Sequence, residues 1–247
     1  TQANRIWFNL MGRGIVEPID DFRATNPAVN PQLLDELANE LVASKFSLRH
    51  MIRVIVNSRT YQLSSIPNET NRDDEINFSH PQLRRLTAEQ LLDSIVRVVD
   101  VPVEFNGYPE GMRAGEIPGV HAVRPRDQAP SSADRFLTTF GKPERLQPCE
   151  CERSDEATLD QALHLVNGSL VGGLLSAEQG RIQRMIDADA STGEIVEEFF
   201  WQSLSRRPTD EELSAATSHI DTSRDRRNGI EDVVWALVTS REFLLRR

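Results

Sequence analysis

The sequence predicts a mainly α-helical protein: two helical units, related as an internal repeat, joined by an irregular middle rich in proline and glycine. Three observations lead there. Apolar residues recur at i, i+3, i+4 and i+7 in one segment after another, which is the spacing of one helix face. Helix-start signals stand before several of those segments, among them Asn30-Pro31 and Thr87-Ala-Glu-Gln90. The pattern near the start of the chain also returns near its end.

Taken in order, Ala3 to Met11 predicts a helix stopped by Gly12 and Gly14. Ile15 to Pro27 holds two prolines and no sustained period, so it predicts a loop, long enough to suggest a functional one. Asn30 caps the next helix with Pro31 at its first position, and Leu33, Leu34, Leu37 and Leu41 make its apolar face. A second helix follows from Ser47, with Leu48, Met51, Ile52, Ile55 and Val56 as its buried stripe. The short link Ser44-Lys45-Phe46 makes the two an αα-hairpin.

Residues 66 to 86 are polar and read as a surface connection. The capping box at Thr87 opens a helix that buries Leu91, Leu92, Ile95, Val98 and Val99. From Val101 to Pro148 proline and glycine recur, and Ala133 to Phe140 is the one stretch there suited to a helix. Leu159, Ala162, Leu163 and Val166 predict the buried face of a helix ending at Asn167-Gly168, with further helices over 177–190, 192–205, 209–221 and 229–245.

The repeat is specific in its spacing. Ile230, Val233, Val234, Leu237 and Val238 reproduce Leu48, Met51, Ile52, Ile55 and Val56. Ser58-Arg59-Thr60-Tyr61 pairs with Ser240-Arg241-Glu242-Phe243, Trp7, Leu10 and Arg13 pair with Trp201, Leu204 and Arg207, and Pro31 pairs with Pro208. Repeated units bury one core through equivalent faces. The organisation expected is one domain over 1–247: an N-terminal helical unit at 1–65, an irregular middle at 66–150 with one helix near 87–99, and a C-terminal helical unit at 151–247.

The 247 residues carry a net charge of −10, which argues against a nucleic-acid module, since phosphate binding needs a cationic field. No run reaches the length of a membrane span and no signal-peptide pattern opens the chain. The chain starts at Thr1, close to an amphipathic stretch, and is expected to be a piece of something longer. Lysine occurs only at Lys45 and Lys142, and the other cations are arginine, a guanidinium fork suited to clamping carboxylates or an anionic ligand, or a plain compositional bias.

Chemically able residues concentrate in Pro143 to Ser154, expected to fold inward and tie the two terminal units together. Cys149 and Cys151 admit several readings: ordinary thiols or a short, strained disulfide shaping a turn, half of a metal site completed by His164, His121 or His80, or a nucleophile. Glu150 and Glu152, with Asp20 and Asp21 in the long loop, are the candidate acid–base carboxylates, and Arg145, Arg153, Arg13 and Arg23 the candidate ligand clamps. Salt-linked pairing accounts for the same residues without chemistry, and Glu17, Asp20 and Asp21 lack the spacing of a calcium loop. His164 sits at the edge of its helix's apolar face. No phosphate loop, nucleophile elbow, His-Glu-x-x-His or Cys-x-x-Cys-His haem attachment occurs.

Asn4-Arg-Ile-Trp7, Gly12-Arg-Gly-Ile-Val-Glu-Pro-Ile-Asp-Asp-Phe-Arg23, Val56-Asn-Ser-Arg-Thr-Tyr-Gln62, Arg85-Leu-Thr-Ala-Glu-Gln-Leu-Leu-Asp93, Phe140-Gly-Lys-Pro-Glu-Arg145, Cys149-Glu-Cys-Glu-Arg-Ser154 and Trp235-Ala-Leu-Val-Thr-Ser-Arg-Glu-Phe243 together resemble the planctomycete surface-protein domain of unknown function numbered 1553. The resemblance implies the C-terminal module of an exported, extracytoplasmic protein, at the periplasm or cell surface. Such proteins carry a planctomycete-type cytochrome c domain, so any haem is expected on that separate N-terminal domain and no cofactor in this chain. An oxidising location favours oxidised cysteines. The expected role is an interaction or ligand-binding module, whose partner is the neighbouring cytochrome-type domain or a surface protein. The alternatives are a hydrolase acting on polysaccharide or another anionic polymer, with carboxylates and arginines around 144–153 and 17–23, and a metal-binding domain.

Overall fold

The computed structural model describes residues 1–117, 129–143 and 158–246. Helix dominates among them, as the periodicity predicts, and strand is confined to Arg84–Arg85 and Leu245–Arg246. The chain divides into two compact units, residues 1–84 and 85–246.

The first unit is built on α1 (Gln2–Met11), α2 (Pro31–Ala43) and α3 (Leu48–Val56). Gly12 stops α1 with a φ of 91° while its N–H donates to the Phe8 carbonyl at 2.8 Å, a conformation in which a side chain would be strained. The Asn30 side chain accepts the Leu33 N–H at 3.0 Å, the expected cap, and Ser47, where the next helix was expected to begin, accepts the His50 N–H at 3.3 Å. The three helices pack on one another around Ile6, Trp7, Leu37, Leu41, Met51 and Ile55.

The loop after α1, expected to be functional because of its length, is packed as part of this core. Ile15, Val16 and Ile19 are buried, and the wholly buried Asn4 holds them: its Nδ2 donates to the Val16 and Ile19 carbonyls and its Oδ1 accepts the Ile15 and Val16 N–H groups. One amide thereby satisfies four backbone groups that no helix or sheet could serve. Downstream, Asp74 accepts the N–H groups of Ile76, Asn77 and Ser79, which shapes the turn that sets Phe78 edge-on against Trp7, ring centroids 5.3 Å apart.

The stripe expected on α3 is only partly buried. Met51 and Ile55 are enclosed, but Leu48 is 52% and Ile52 44% exposed. Helix geometry explains the split: at 100° per residue the five apolar positions spread over more than a third of the circumference, and packing against α1 and α2 covers the Met51–Ile55 side.

The second unit is centred on α4 (Ala88–Val99), whose Leu91, Leu92, Ile95, Val98 and Val99 are all buried as expected. Its capping box is complete, Thr87 N–H to Gln90 Oε1 at 3.1 Å and Gln90 N–H to Thr87 Oγ1 at 3.3 Å. Around it pack a 3₁₀ turn at Ala114–Glu116, α5 (Ser132–Thr139), α7 (Ser169–Leu175), α8 (Arg181–Asp187) and α9 (Thr192–Leu204). α10 (Asp210–Thr222) and α11 (Arg226–Thr239) close a second mutually packed triple with α9, and the one-turn α12 (Arg241–Leu244) follows. The helix expected over 229–245 therefore breaks at Ser240. α7, which contains Gly172 and Gly173, was not anticipated.

α6 (Leu159–Asn167) departs from expectation more sharply. Leu159 is 76% exposed, with Ala162 and Leu163 also exposed, whereas Gln161 is buried. Gln161 accepts from Arg85 Nη1 at 2.8 Å and donates to the Thr139 carbonyl at 3.1 Å. Pairing of the amide offsets the cost of burying a polar group, and Gln161 docks together with Leu165, one turn further on, which packs against the core.

The two triples share more than helix number. Ser58 Oγ accepts the Tyr61 N–H at 3.2 Å, and Ser240 Oγ accepts the Phe243 N–H at the same distance. Which faces are buried differs: Trp7 is enclosed while Trp201 is half exposed, and Ile230 and Val234 are enclosed while Leu48 and Ile52 are not. α11 has α7 and α8 against it besides its own triple, and this extra cover accounts for the burial of Ile230 and Val234.

Candidate functional site

Arg145, Cys149, Glu150, Cys151, Glu152 and Arg153 lie outside the described residues, as does His121, and with them the inward-folded segment expected to tie the two ends together. The other expected residues are placed. Arg5 holds Asp20 through bonds of 2.9 and 2.8 Å, and Arg23 holds Asp21 at 2.6 Å through its Nε. The guanidinium partners keep both carboxyls below their ordinary range, so both stay ionised where a general acid would need its proton. Glu17 accepts the Gly14 N–H at 2.8 Å and Arg13 donates to the Glu75 carbonyl at 3.0 Å. His164 Nε2 lies 3.5 Å from the Thr139 hydroxyl, and His80 Nδ1 lies 3.2 Å from the Pro81 carbonyl. No group of three His, Cys, Asp or Glu side chains is arranged for a metal among the described residues.

Several arginines act as internal clamps. Arg206, in the turn after α9, forks onto Glu212 of α10 and Glu242 of α12 and lies over the Phe200 ring of α9. Arg181 reaches the Val98 carbonyl at 2.9 Å, at the end of α4, and Glu198 at 2.6 Å. These are the two-pronged contacts that guanidinium geometry favours.

The residues that sequence reading did not single out are the exposed ones of the α2–α3 hairpin. Lys45 and Phe46 occupy the left-handed region at φ 55° and 61°, locked by the Lys45 N–H to Val42 O bond at 3.0 Å and the Phe46 N–H to Leu41 O bond at 2.8 Å. A bulky aromatic in this conformation is strained, and glycine or asparagine would fit it better. Yet Phe46 is 67% exposed, so burial does not account for it either. Val42, Leu48 and Ile52 are exposed on the same two helices.

Along the chain the charge there is one-sided, with Glu40 lining the same depression as Arg49 and Arg53. No carboxylate occurs between Glu40 and Glu69, a stretch holding Lys45, Arg49, Arg53 and Arg59 in a chain of net charge −10. Lys45, Arg49 and Arg53 make no side-chain ion pair among the described residues, while the neighbouring His50 meets Glu40 at 2.5 Å. Sequence reading missed this face because it assigned Leu48 and Ile52 to the core. The signal was there in the acid-free run and in an apolar stripe wider than a three-helix unit can cover.

No helix of the described residues is long and apolar enough to cross a membrane. No curated protein and no solved structure matches the chain. The sequence profile of a family described as PSD1, protein of unknown function DUF1553, matches residues 1–220. A match over that much of the chain, running through both helical units, is decisive: the chain belongs to the DUF1553 family.

Proposed function

We propose that the chain is a recognition module of an exported, haem-linked protein, docking through the outer face of the α2–α3 hairpin onto an acidic protein surface. The partner is the neighbouring cytochrome-type domain or a separate surface protein, and the haem belongs to that neighbour. Location and neighbour rest on the family resemblance. The carrying observation is the coincidence of exposed Val42, Phe46, Leu48 and Ile52 with the cations Lys45, Arg49 and Arg53. Exposed apolar anchors and arginines are the residue types enriched at the energetic core of protein interfaces, and guanidinium forks match partner carboxylates. A second copy of the chain is disfavoured as partner by the mutual repulsion of two bodies of net charge −10.

The test places a photoreactive phenylalanine analogue at position 46 of the full-length exported protein and maps the crosslinks. Crosslinks into an acidic segment of the cytochrome-type domain, or of a distinct protein, support the proposal. Crosslinks solely between copies of this chain, solely to lipid, or none at all overturn it.

A further inference from the structure

We infer that the first unit contains a binding site for a small neutral molecule with a single-ring apolar body and one acceptor oxygen, in the cavity between α1, α2, α3 and the Phe78 loop. The cavity measures about 340 Å³, at the small end of the range for ligand pockets, which run from roughly 300 to 1,000 Å³. Leu33 and Ile55 contribute to its walls beside Trp7 and Phe78, and every residue lining it is uncharged, so an ionic ligand would enter without a counter-charge.

The second observation is an unanswered donor. Trp7 is only 3% exposed, it lines the cavity, and its buried indole Nε1 has no hydrogen-bond partner among the described residues. Buried indole N–H groups almost always find an acceptor. An acceptor oxygen on a ligand supplies what the protein does not. Around it, the Asn30 carbonyl oxygen is committed to the Leu33 N–H, leaving its amide N–H to donate, while Asn77 Nδ2 is committed to Asp74 at 2.9 Å, leaving its carbonyl to accept. Thr60 is a further lining residue that carries a hydroxyl.

The inference is independent of docking at the hairpin face, and its test reads a different signal. The three tryptophans give three indole N–H resonances in a proton–nitrogen spectrum of the intact chain. Trp7→Phe identifies one; if that variant does not fold, cross-peaks to the Phe78 ring, 5.3 Å away, identify it instead. Acetophenone, a ring with one carbonyl, is titrated beside toluene, which lacks the acceptor, and benzoate, which carries a charge. The expected result is a saturable shift of the Trp7 signal by acetophenone, with toluene binding about 5-fold more weakly for the missing hydrogen bond and benzoate at least about 10-fold more weakly. A Trp7 signal unmoved up to the solubility limit, or toluene or benzoate binding as tightly as acetophenone, overturns it.

Discussion

Asn4 accepts the backbone N–H of Ile15 through its Oδ1 at 2.7 Å, and this contact anchors the loop that separates the first helix from the second. With its three companion bonds it leaves Asn4 fully satisfied and fully buried. Asn4→Ala strips partners from buried backbone groups at Ile15, Val16 and Ile19, each worth about 1 to 3 kcal/mol when left unpaired. The expected loss is about 3 kcal/mol or more, measured by urea denaturation, with faster amide exchange at Ile15 and Val16. Unchanged stability would show that the loop is not held by this side chain.

The Arg206 clamp predicts a pH dependence with a definite sign. Arg206, and then the Thr209 N–H, hold Glu212 down to about 2, below its ordinary 4.5. A depressed carboxylate contributes stability that is fully present above the ordinary value and drains away as pH falls toward about 2. Because these side chains are about a third exposed, solvent screening reduces the contribution to about 1 kcal/mol. Arg206→Met is therefore expected to lower stability at pH 6 by about that amount and to flatten its decline between pH 4.5 and 2, as read by thermal unfolding across that window.

Gly229 sets helix propensity against packing. It lies in the first turns of α11, where alanine would ordinarily favour the helix by about 1 kcal/mol. A Cβ there would stand 2.8 Å from Ser223 Oγ and 3.0 Å from Ile220 Cα, closer than packed atoms tolerate. Gly229→Ala is expected to destabilise by about 1 to 3 kcal/mol, the range for overpacking. A stabilised variant would mean that α10 and α11 can move apart at little cost.

Phe46→Gly should separate stability from recognition. Removing a strained left-handed side chain is expected to raise the stability of the chain by about 0.5 to 1 kcal/mol, since glycine adopts that conformation freely. The same change removes the most exposed anchor of the hairpin face, and partner binding is expected to weaken about 10-fold or more, as for an interface hot spot. Calorimetric unfolding and a binding titration with the crosslinked partner check the two halves independently.

Much of the fold was legible because its signals are local. Caps at Asn30 and Thr87, the helix start at Ser47, the stop at Gly12 and the stripe from Leu91 to Val99 depend on a few neighbouring residues and the helix period, and each is found as read. The matching turns at Ser58 and Ser240 were visible for the same reason. Errors arose where a helix offers more apolar surface than its neighbours cover, as at Leu48 and Ile52. They arose also where a polar residue is buried because a distant partner meets it, as Arg85 meets Gln161. The candidate sites were less legible still. Phe78 stands alone in a polar loop, and nothing in its surroundings announces that it packs against Trp7.

The sequence alone therefore determined the helical class, the main helix starts and the family, because periodicity, capping chemistry and motif order are written along the chain. The tertiary structure decided which side of each amphipathic helix is covered, where the arginines find their carboxylates, and that the α2–α3 hairpin keeps an apolar, cationic face in solvent. Those outcomes depend on neighbours far away in sequence, and burial is a property of what packs against a residue as much as of the residue itself.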